Sequence, residues 1–538
     1  MKTKHLKIIG DISLYITIVM FTGLIFARGR LSDISERLVG STISDSGFVA
    51  GRLVVQRLDK ISPFTPGLLP SIGWPGGIEN RAYVNYTSPL SVGTNFLISD
   101  WTSPENNQIV FSLLGMIVTG ICIGFVIQRL TSSRLLASVA VLMVSSSSAM
   151  AHWAQEAPSY TYIGILIGLI FLSVKAIETR SFKSIFLSAI LGILSILWLQ
   201  YFALFALICL AGVCIAGTLL AKQKTILTTT KILLLTSFGF APYLIIWWFY
   251  RDELPARTFA ESRTRGITAD ALFDSNSYFY LGAATCVILL VMLMWTSRKV
   301  NRETIIQDKI SLYFLLSSAF IILICLVFLG PQQAFGVPLP AVLIPKMVPW
   351  FRHGVYSAHL IQILIVLITL IIAKHVFKSK RMKSFFVLIL LVTVAIDGFR
   401  QDMSGGDRLL TRVVREEAIR VLATKAVKPV AHFPWELSSE FGSNSDATPC
   451  LRMAVHKMPL VNTCDYDEPA TSLISSIQNS STCDKLKILA EAKVGYLIVD
   501  FSSSQPLLSA CLLNARLAGS VALVSESGEV KVWQLLSN

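Results

Sequence analysis

The residues of this sequence that could do chemistry are charged side chains that lie between long apolar runs. Two groups of cations stand out: Arg251, Arg257, Arg263 and Arg265, and then Lys346 with Arg352. The planar guanidinium group of arginine matches phosphate oxygens with two parallel hydrogen bonds. Acidic residues lie beside the first group, at Asp252, Glu253 and Glu261. These cations therefore indicate either a phosphate site or a local network of ion pairs.

No motif of a soluble enzyme accompanies these charges. The sequence has no glycine-rich phosphate loop, no paired CxxC, no HExxH and no nucleophile elbow. Its seven histidines are scattered along the chain, which does not predict a histidine-based metal site.

Composition predicts the elements that must position these residues. The chain has 538 residues, of which 53% are hydrophobic and 15% charged, and its mean hydropathy is +0.63. A soluble domain is far less apolar. The apolar residues form blocks of about 17 to 22, the length of a helix that crosses a bilayer. We predict an α-helical polytopic membrane protein with roughly eleven spans, near residues 8–26, 109–128, 135–150, 160–174, 184–198, 202–221, 232–250, 278–295, 310–329, 355–373 and 384–397.

The basic residues predict the orientation of these spans. They cluster in alternate connections, at residues 2–7, 129–134, 175–183, 222–231, 298–309 and 374–383. The positive-inside rule makes that face cytoplasmic, with the N-terminus inside and the C-terminus outside. The net charge of +14 thus follows from topology. It predicts contact with anionic membrane lipids, and no nucleic acid is expected as a partner.

Two predicted outer segments are too long to be simple connections. Residues 28–108 are rich in proline and form a large first outer loop of a transmembrane domain spanning residues 1–398. Residues 399–538 are long enough for an extracytoplasmic C-terminal α/β domain. Strand-like runs lie at 494–500, 521–524 and 530–533, and helical runs at 485–492 and 507–518.

Four of the nine cysteines lie in the C-terminal segment, at Cys450, Cys464, Cys483 and Cys511. An even number in an oxidising compartment predicts two disulfides. Pairing neighbours would join Cys450 to Cys464 and Cys483 to Cys511, which is one of three pairings that four cysteines allow.

Short motifs in the outer segments resemble those of a known family. The first segment contains Ser44-Asp45-Ser46-Gly47, then Gly73-Trp74-Pro75-Gly76-Gly77, then Ser88-Pro89-Leu90. A later segment contains Val348-Pro349-Trp350-Phe351-Arg352-His353. In this order they are similar to bacterial multi-spanning membrane glycosyltransferases of the GT-C superfamily, which use polyprenyl-phosphate sugars, and to the related YfhO-like proteins.

The resemblance implies an activity. GT-C enzymes move a sugar from a polyprenyl-phosphate donor to a hydroxyl, usually with inversion, and here the acceptor would be a cell-surface glycan or lipid. The expected location is the bacterial plasma (inner) membrane. Such a displacement needs a carboxylate base and cations that stabilise the leaving phosphate. The resemblance does not establish a cofactor, and a divalent metal is an open alternative.

The resemblance also implies site residues. Asp45 matches the position of the base, with a helix N-cap as its alternative role. His152 and Glu156 lie in the outer turn between the third and fourth spans, where Glu156 would position the acceptor or a metal, or would simply be solvated. The donor phosphate would be bound by Arg352, Lys346, Arg257 and Arg263, with His353 beside them. Outer tryptophans such as Trp101 and Trp153 are explained by anchoring in an aromatic belt.

Two other functions remain open on the sequence alone. A non-catalytic membrane scaffold would present the C-terminal domain to a partner and would not need Asp45. A lipid-linked glycan transporter or flippase would place charges deep within several spans, and the predicted spans have few such charges.

Overall fold

The computed structural model describes residues 2–27, 37–39, 45–80, 85–86, 88–221, 223–250, 306, 308–330, 333–334, 337–338, 340–343, 356–377, 379, 381–392, 410–412, 417–433, 447–463, 472–501 and 506–536. In chain order the helices of the first part are α1 (Lys2–Ala27), α2 (Asp45–Leu58), α3 (Pro89–Ile98), α4 (Pro104–Thr131), α5 (Arg134–Ser145), α6 (Ser148–Glu156), α7 (Gly164–Thr179), α8 (Phe182–Trp198), α9 (Gln200–Ala221), α10 (Gln223–Thr236), α11 (Ala241–Tyr250), α12 (Lys309–Phe328), α13 (Ser357–Val376) and α14 (381–392).

Seven helical segments of the described chain are long and apolar enough to cross a membrane, at Leu6–Leu24, Asn106–Thr131, Pro158–Thr179, Gln200–Leu220, Thr225–Ile246, Lys309–Phe328 and Ser357–Val376. An eighth would combine α5 with Ala149–Gln155, and α8 is apolar but shorter. The predicted span at 278–295 lies outside the described residues. The multi-pass helical prediction is confirmed, whereas the count of eleven stays a prediction.

Serine side chains set the starts of three neighbouring helices. Ser103, Ser133 and Ser147 each accept a hydrogen bond from a backbone amide in the first turn of α4, α5 and α6 respectively. Such N-caps satisfy amides that the helix itself leaves without partners. Because Ser147 begins a new helix, residues 135–150 do not form one straight span as predicted. They belong instead to two helices bent by 49°.

Glycine allows α4 to pack closely against its neighbours. A Cβ atom added at Gly124 would overlap the ring of Tyr15 on α1, and one added at Gly115 would overlap the ring of Tyr162. Small residues let helices approach closely where packing, rather than transfer from water, drives association. Helix α4 contacts α1, α5, α7 and α13 and so lies at the centre of this helix bundle.

Within the described residues, ion pairs join helices at the basic end of the bundle, where connections 129–134, 175–183 and 374–383 lie. Asp11 on α1 is buried, and its carboxylate lies 2.8 Å from Arg134 Nε on α5. The same carboxylate accepts a hydrogen bond from Gln128 Nε2 on α4 (2.8 Å). Lys374 Nζ on α13 lies 2.5 Å from Asp308 Oδ2, beside the start of α12. Side-chain pairing thus joins the helices at this end.

The opposite end of the bundle, here called the loop end, holds residues 45–80. Helix α2 packs against α4 and α6 on one side and against α16 (Thr448–His456) on the other. Val54 and Val55 share a buried apolar core with Leu451 and Met453. The first outer segment and the C-terminal segment therefore lie at the same end of the bundle.

Backbone pairing reinforces that contact. Strand β1 (Arg37–Val39) pairs antiparallel with β6 (Leu410–Arg412), and the Trp74 amide donates to the Leu460 carbonyl oxygen (3.0 Å). Two short hairpins add β2 (Leu68–Leu69) with β3 (Ile78–Glu79) and β4 (Gln333–Ala334) with β5 (Val337–Pro338). The division at residue 398 stays a prediction, and the two segments share a core across it.

The C-terminal segment forms a four-stranded sheet. Its strands lie in the order β7 (Val430–Phe433), β8 (Tyr496–Asp500), β10 (Val530–Leu535) and β9 (Val521–Ser527). Strands β7 and β8 are parallel, and the other pairs are antiparallel. Helices α15 (Glu417–Arg420) and α16 cover one face, and α17 (Ser472–Gln478), α18 (Thr482–Glu491) and α19 (Pro506–Leu517) cover the other. The predicted α/β character is confirmed, although β7 was not predicted.

One disulfide joins two of the helices that cover this sheet. It joins Cys483 on α18 to Cys511 on α19, the pair that neighbour spacing predicts. Cys450 is also disulfide-bonded, and its predicted partner, Cys464, lies outside the described residues.

Candidate functional site

The structure describes two predicted catalytic residues by their positions on helices. Asp45 is the first residue of α2, and Glu156 is the last residue of α6. The side chains of both lie outside the described part of the structure. Because α2 and α6 pack together at the loop end, the two helices that carry these residues are neighbours. The predicted phosphate ligands lie outside the described residues, namely Arg257, Arg263, Lys346 and Arg352, and so does His353.

Two other acids of the first outer segment have structural partners. Arg57 on α2 forms an ion pair with Asp100 and donates to the hydroxyl of Ser99 (2.7 Å). Asp59 accepts a hydrogen bond from the amide of Ser71 (3.3 Å). These carboxylates tie α2 to the chain around it.

An aromatic cluster lies at the loop end, made of Trp153, Tyr160, Tyr201 and Tyr356. Its members come from α6, from the 3₁₀ segment Pro158–Tyr162, from the start of α9 and from the residue before α13. The Tyr356 ring centroid lies 4.8 Å from Trp153, 4.7 Å from Tyr160 and 4.7 Å from Tyr201. Four separate elements thus bring their rings to one place.

A second group of rings packs beside the backbone that carries the aromatic cluster. The Tyr162 ring lies 4.0 Å from Trp198 and 5.2 Å from Phe111. Trp198 Nε1 donates to the carbonyl oxygen of Ser159 (3.0 Å), which ties the end of α8 to the 3₁₀ segment. These contacts fix the backbone that carries Tyr160.

Two histidines accompany the aromatic cluster. The His152 ring lies 4.8 Å from the ring of Trp153 on the same helix. His359, in the first turn of α13, is fully buried, and within the described chain neither of its ring nitrogens has a hydrogen-bond partner. A buried polar group without a partner costs about 1–3 kcal/mol. A ligand that supplied the missing hydrogen bond would remove that cost.

The arrangement suits a ligand with both apolar and hydroxyl-bearing faces. Aromatic rings offer flat apolar surfaces, and tyrosine hydroxyls and imidazole nitrogens offer polar handles. No group of three or more His, Cys, Asp or Glu side chains that could hold a metal occurs within the described ranges.

His152 is a candidate from the sequence, and its role stays a prediction. The sequence did not single out Tyr160, Tyr201, Tyr356 or His359, which the structure places near it. Each of the four lies near the end of an apolar run on the predicted outer side, which is the signal that was present. Trp153 was assigned to an aromatic belt, but only 3% of it is exposed, whereas Trp101 is 90% exposed as a belt residue would be.

The fold was compared with known proteins. No protein-family model matches the sequence, and no curated protein matches it significantly. Among solved structures, the arabinofuranosyltransferase AftD from mycobacteria matches with a TM-score of 0.52 and 12% identity, over 97% of this chain and 40% of AftD. A mutant of AftD matches with a TM-score of 0.55. The chain spans about two fifths of the length of AftD.

ArnT from Cupriavidus metallidurans, in its apo state, matches over nearly all of both chains. The TM-score is 0.51 at 8% identity, and the alignment covers 98% of each chain. At such low identity the likeness concerns the fold. These structural neighbours are GT-C glycosyltransferases, so this chain has the fold of that group of multi-spanning membrane proteins.

Proposed function

We propose that this chain is an inverting membrane glycosyltransferase that moves a sugar from a polyprenyl-phosphate donor to a cell-surface glycan or lipid. The observation that carries the proposal is the fold shared with ArnT over 98% of both chains. ArnT has also been solved bound to undecaprenyl phosphate. The aromatic cluster beside α2 is the place where we locate the transfer.

The loop end is proposed to face the extracytoplasmic side of a bacterial plasma membrane. The basic connections at the other end support this orientation through the positive-inside rule. The disulfide between Cys483 and Cys511 supports it independently, because disulfides persist in oxidising compartments. The C-terminal sheet would then be extracytoplasmic too.

The proposed reaction is a single displacement at the anomeric carbon. Asp45 takes the proton of the acceptor hydroxyl as its oxygen attacks that carbon, and Glu156 positions the acceptor. The bond from the anomeric carbon to the phosphate oxygen breaks, and its electron pair leaves with the polyprenyl phosphate. One displacement inverts the configuration. Arg352, Lys346, Arg257 and Arg263 would stabilise the leaving phosphate.

The aromatic cluster would hold the sugar during this step. A sugar ring has apolar C–H faces that pack on aromatic rings and hydroxyls that bond to polar groups at their edges. Buried His359 would supply one such bond and His152 another. The alignment of donor and acceptor is then one source of rate enhancement.

The test is sugar transfer by the purified protein in lipid nanodiscs. A panel of polyprenyl-phosphate sugars, including the arabinofuranose form, is supplied, and release of polyprenyl phosphate is followed. Asp45→Asn should lower the rate by about 10² to 10⁴, because the amide cannot accept the proton. Glu79→Gln is the matched control, an exposed acid of the same outer segment, and should retain the wild-type rate.

Measuring donor affinity is a second, separate test of the proposed function. Arg352→Ala should weaken donor affinity by roughly 10- to 100-fold, since one charge-assisted phosphate contact contributes about 1.5 to 3 kcal/mol. Arg352→Lys, which keeps the charge, should weaken it less. If no donor on the panel releases its carrier and Asp45→Asn has no effect on surface glycans in cells, the protein is better described as a scaffold.

A further inference from the structure

In the C-terminal sheet, successive connections between parallel strands cross on opposite faces. This feature lies apart from the proposed transfer site. Val430 in β7 pairs parallel with Leu460 on one side, and β7 pairs parallel with β8 on the other. The chain reaches Leu460 through α16, which lies on one face, and reaches β8 through α17 and α18, which lie on the other. This reversal is a topological switch point. Ligands of open α/β sheets bind beside it, outside the carboxyl ends of the strands.

Four polar side chains meet at that end of the sheet, on the face that α16 covers. His432 comes from β7 and Asp500 from the end of β8, and Arg452 and His456 lie one helical turn apart on α16. The two imidazole rings are 5.8 Å apart, and Arg452 Nη2 lies 3.1 Å from Asp500 Oδ2. His432 and His456 are each 2% exposed. We call these four residues the histidine cluster.

The hydrogen bonds of the histidine cluster leave donors without acceptors. Met458 donates its amide proton to His456 Nδ1 (3.1 Å), so in the neutral ring the proton lies on Nε2. Within the described chain that Nε2 has no partner, and neither ring nitrogen of His432 has one. The two imidazoles therefore present at least two buried N–H groups beside the guanidinium of Arg452.

We propose that the histidine cluster is a binding site for an oxyanion, either a phosphate or a carboxylate group. Two imidazole N–H groups and a guanidinium converge where a ligand of an α/β sheet is expected, and oxyanions are the acceptors that match such donors. Asp500 balances the charge of Arg452, so the anion is bound together with protons taken up by the imidazoles.

The charges around the histidine cluster support coupled proton uptake. Burial, followed by the charge of Arg452, lowers the pKa of His456 to about 3, and burial with Arg452 and His456 lowers the pKa of His432 as well. Among the described residues on the same face of the sheet, Tyr496 on β8 carries a further ionisable group, while Glu417 and Arg420 on α15 are exposed. An anion would favour the charged imidazoles, and protonation would in turn favour the anion by the same factor.

Sulfate is the probe for this site, because it does not titrate between pH 5 and 8. Binding to the full-length protein in nanodiscs is measured by calorimetry at each pH. Affinity should rise about tenfold per pH unit on acidification for each proton taken up. Methyl glucuronoside should compete with sulfate if the natural ligand is a glycan carboxylate, and methyl glucoside should not compete. Inorganic phosphate that competes while the glucuronoside does not would identify a phosphate ligand.

Two variants make the proposal falsifiable even if surface cations also attract sulfate. His432→Phe keeps a ring in the core and should abolish the pH-dependent sulfate binding while the protein stays folded. Lys487→Gln removes an exposed cation of α18 and should leave that binding unchanged. Sulfate binding that is absent from the wild type at pH 5.5, or that is equal in His432→Phe, would overturn the proposal.

Discussion

The two ends of the helix bundle use buried polar groups differently. At the basic end, the carboxylates of Asp11 and Asp308 contact cations on other helices at 2.8 Å and 2.5 Å. At the loop end, His359 is fully buried and lies close to His152 beside the aromatic cluster, and within the described chain its ring nitrogens have no hydrogen-bond partner. The ion pairs of Asp11 and Asp308 hold helices together at the basic end. At the loop end, the ring nitrogens of His359 could form hydrogen bonds to the sugar in the proposed transfer site.

The same contrast appears in the connections between helices. Lys374 also donates to the Leu130 carbonyl oxygen (2.7 Å), so a single ammonium joins α13 to both α4 and α12. At the loop end, rings from four elements meet instead and pack against one another. We expect changes at the basic end to alter stability and changes at the loop end to alter binding.

The largest stability effect is expected from Asp308. Burial raises the pKa of this carboxyl. Hydrogen bonds from Lys374 and Ser311 lower the pKa by more than burial raises it, so it lies below its ordinary value. Asp308→Ala removes the ion pair and the N-cap of α12 together, and should cost about 1–3 kcal/mol of stability. Asp308→Asn keeps the cap and should cost less. Thermal unfolding in detergent measures both. Equal losses would show that the N-cap contributes nothing, and no loss in Asp308→Asn would show that the ion pair contributes nothing.

The next effect is expected at the aromatic cluster. Tyr356→Leu removes the ring that contacts the other three members and should raise the KM for the sugar donor about tenfold, equivalent to about 1.4 kcal/mol. Tyr356→Phe keeps the ring and should change KM by less than about threefold. The unfolding temperature is the control. If kcat and the unfolding temperature fall while KM stays constant, the cluster is structural and the comparison between the two ends fails.

The histidine cluster of the C-terminal sheet tests whether buried polar groups without partners lower stability, through the pH dependence of unfolding. The folded pKa of His456 is about 3, whereas the unfolded chain has an ordinary histidine value near 6.5. The unfolded state therefore binds more protons between these values, and stability falls as the pH drops below about 6.5. The expected loss approaches about 1.4 kcal/mol per pH unit for each such histidine. Unfolding is measured in buffers free of oxyanions, and His432→Phe should show the shallower pH dependence.

The smallest effect is expected from Tyr15. Its hydroxyl donates to Gln128 Oε1 (2.9 Å) and so extends the network around Asp11. Tyr15→Phe keeps the ring that packs against Gly124 and loses one hydrogen bond, at a cost of about 0.5–1.5 kcal/mol. A small drop in the unfolding temperature with unchanged transfer is the expected result. A change in donor KM would mean that the two ends are coupled.

The sequence predicted helices reliably where a lipid environment requires long apolar runs. Apolar runs predicted the helices at 109–128 and 202–221 because a membrane span must satisfy its backbone internally and bury apolar side chains. The break at Ser147 was missed, although consecutive serines are a recognised N-cap signal. Strand β7 was missed because it has only four residues and includes His432, which gives a weak alternation.

The candidate site was harder to predict for a physical reason. Tyr160, Tyr201 and Tyr356 are far apart in sequence and meet only because three separate segments end at the same level. His359 looks like any lone histidine in an apolar span, and its missing hydrogen bonds become visible only in the packed structure. Asp45 rests on the resemblance, and its role stays a prediction.

The most direct test applies one chemical change, aspartate to asparagine, at the two ends of the molecule. Transfer per folded molecule and unfolding temperature are measured for Asp45→Asn and Asp11→Asn in parallel. The account predicts that Asp45→Asn loses about 10² to 10⁴ in rate with little change in unfolding temperature. Asp11→Asn should lower the unfolding temperature and retain the rate per folded molecule. Wild-type transfer by Asp45→Asn, or loss of transfer by a fully folded Asp11→Asn, would contradict it.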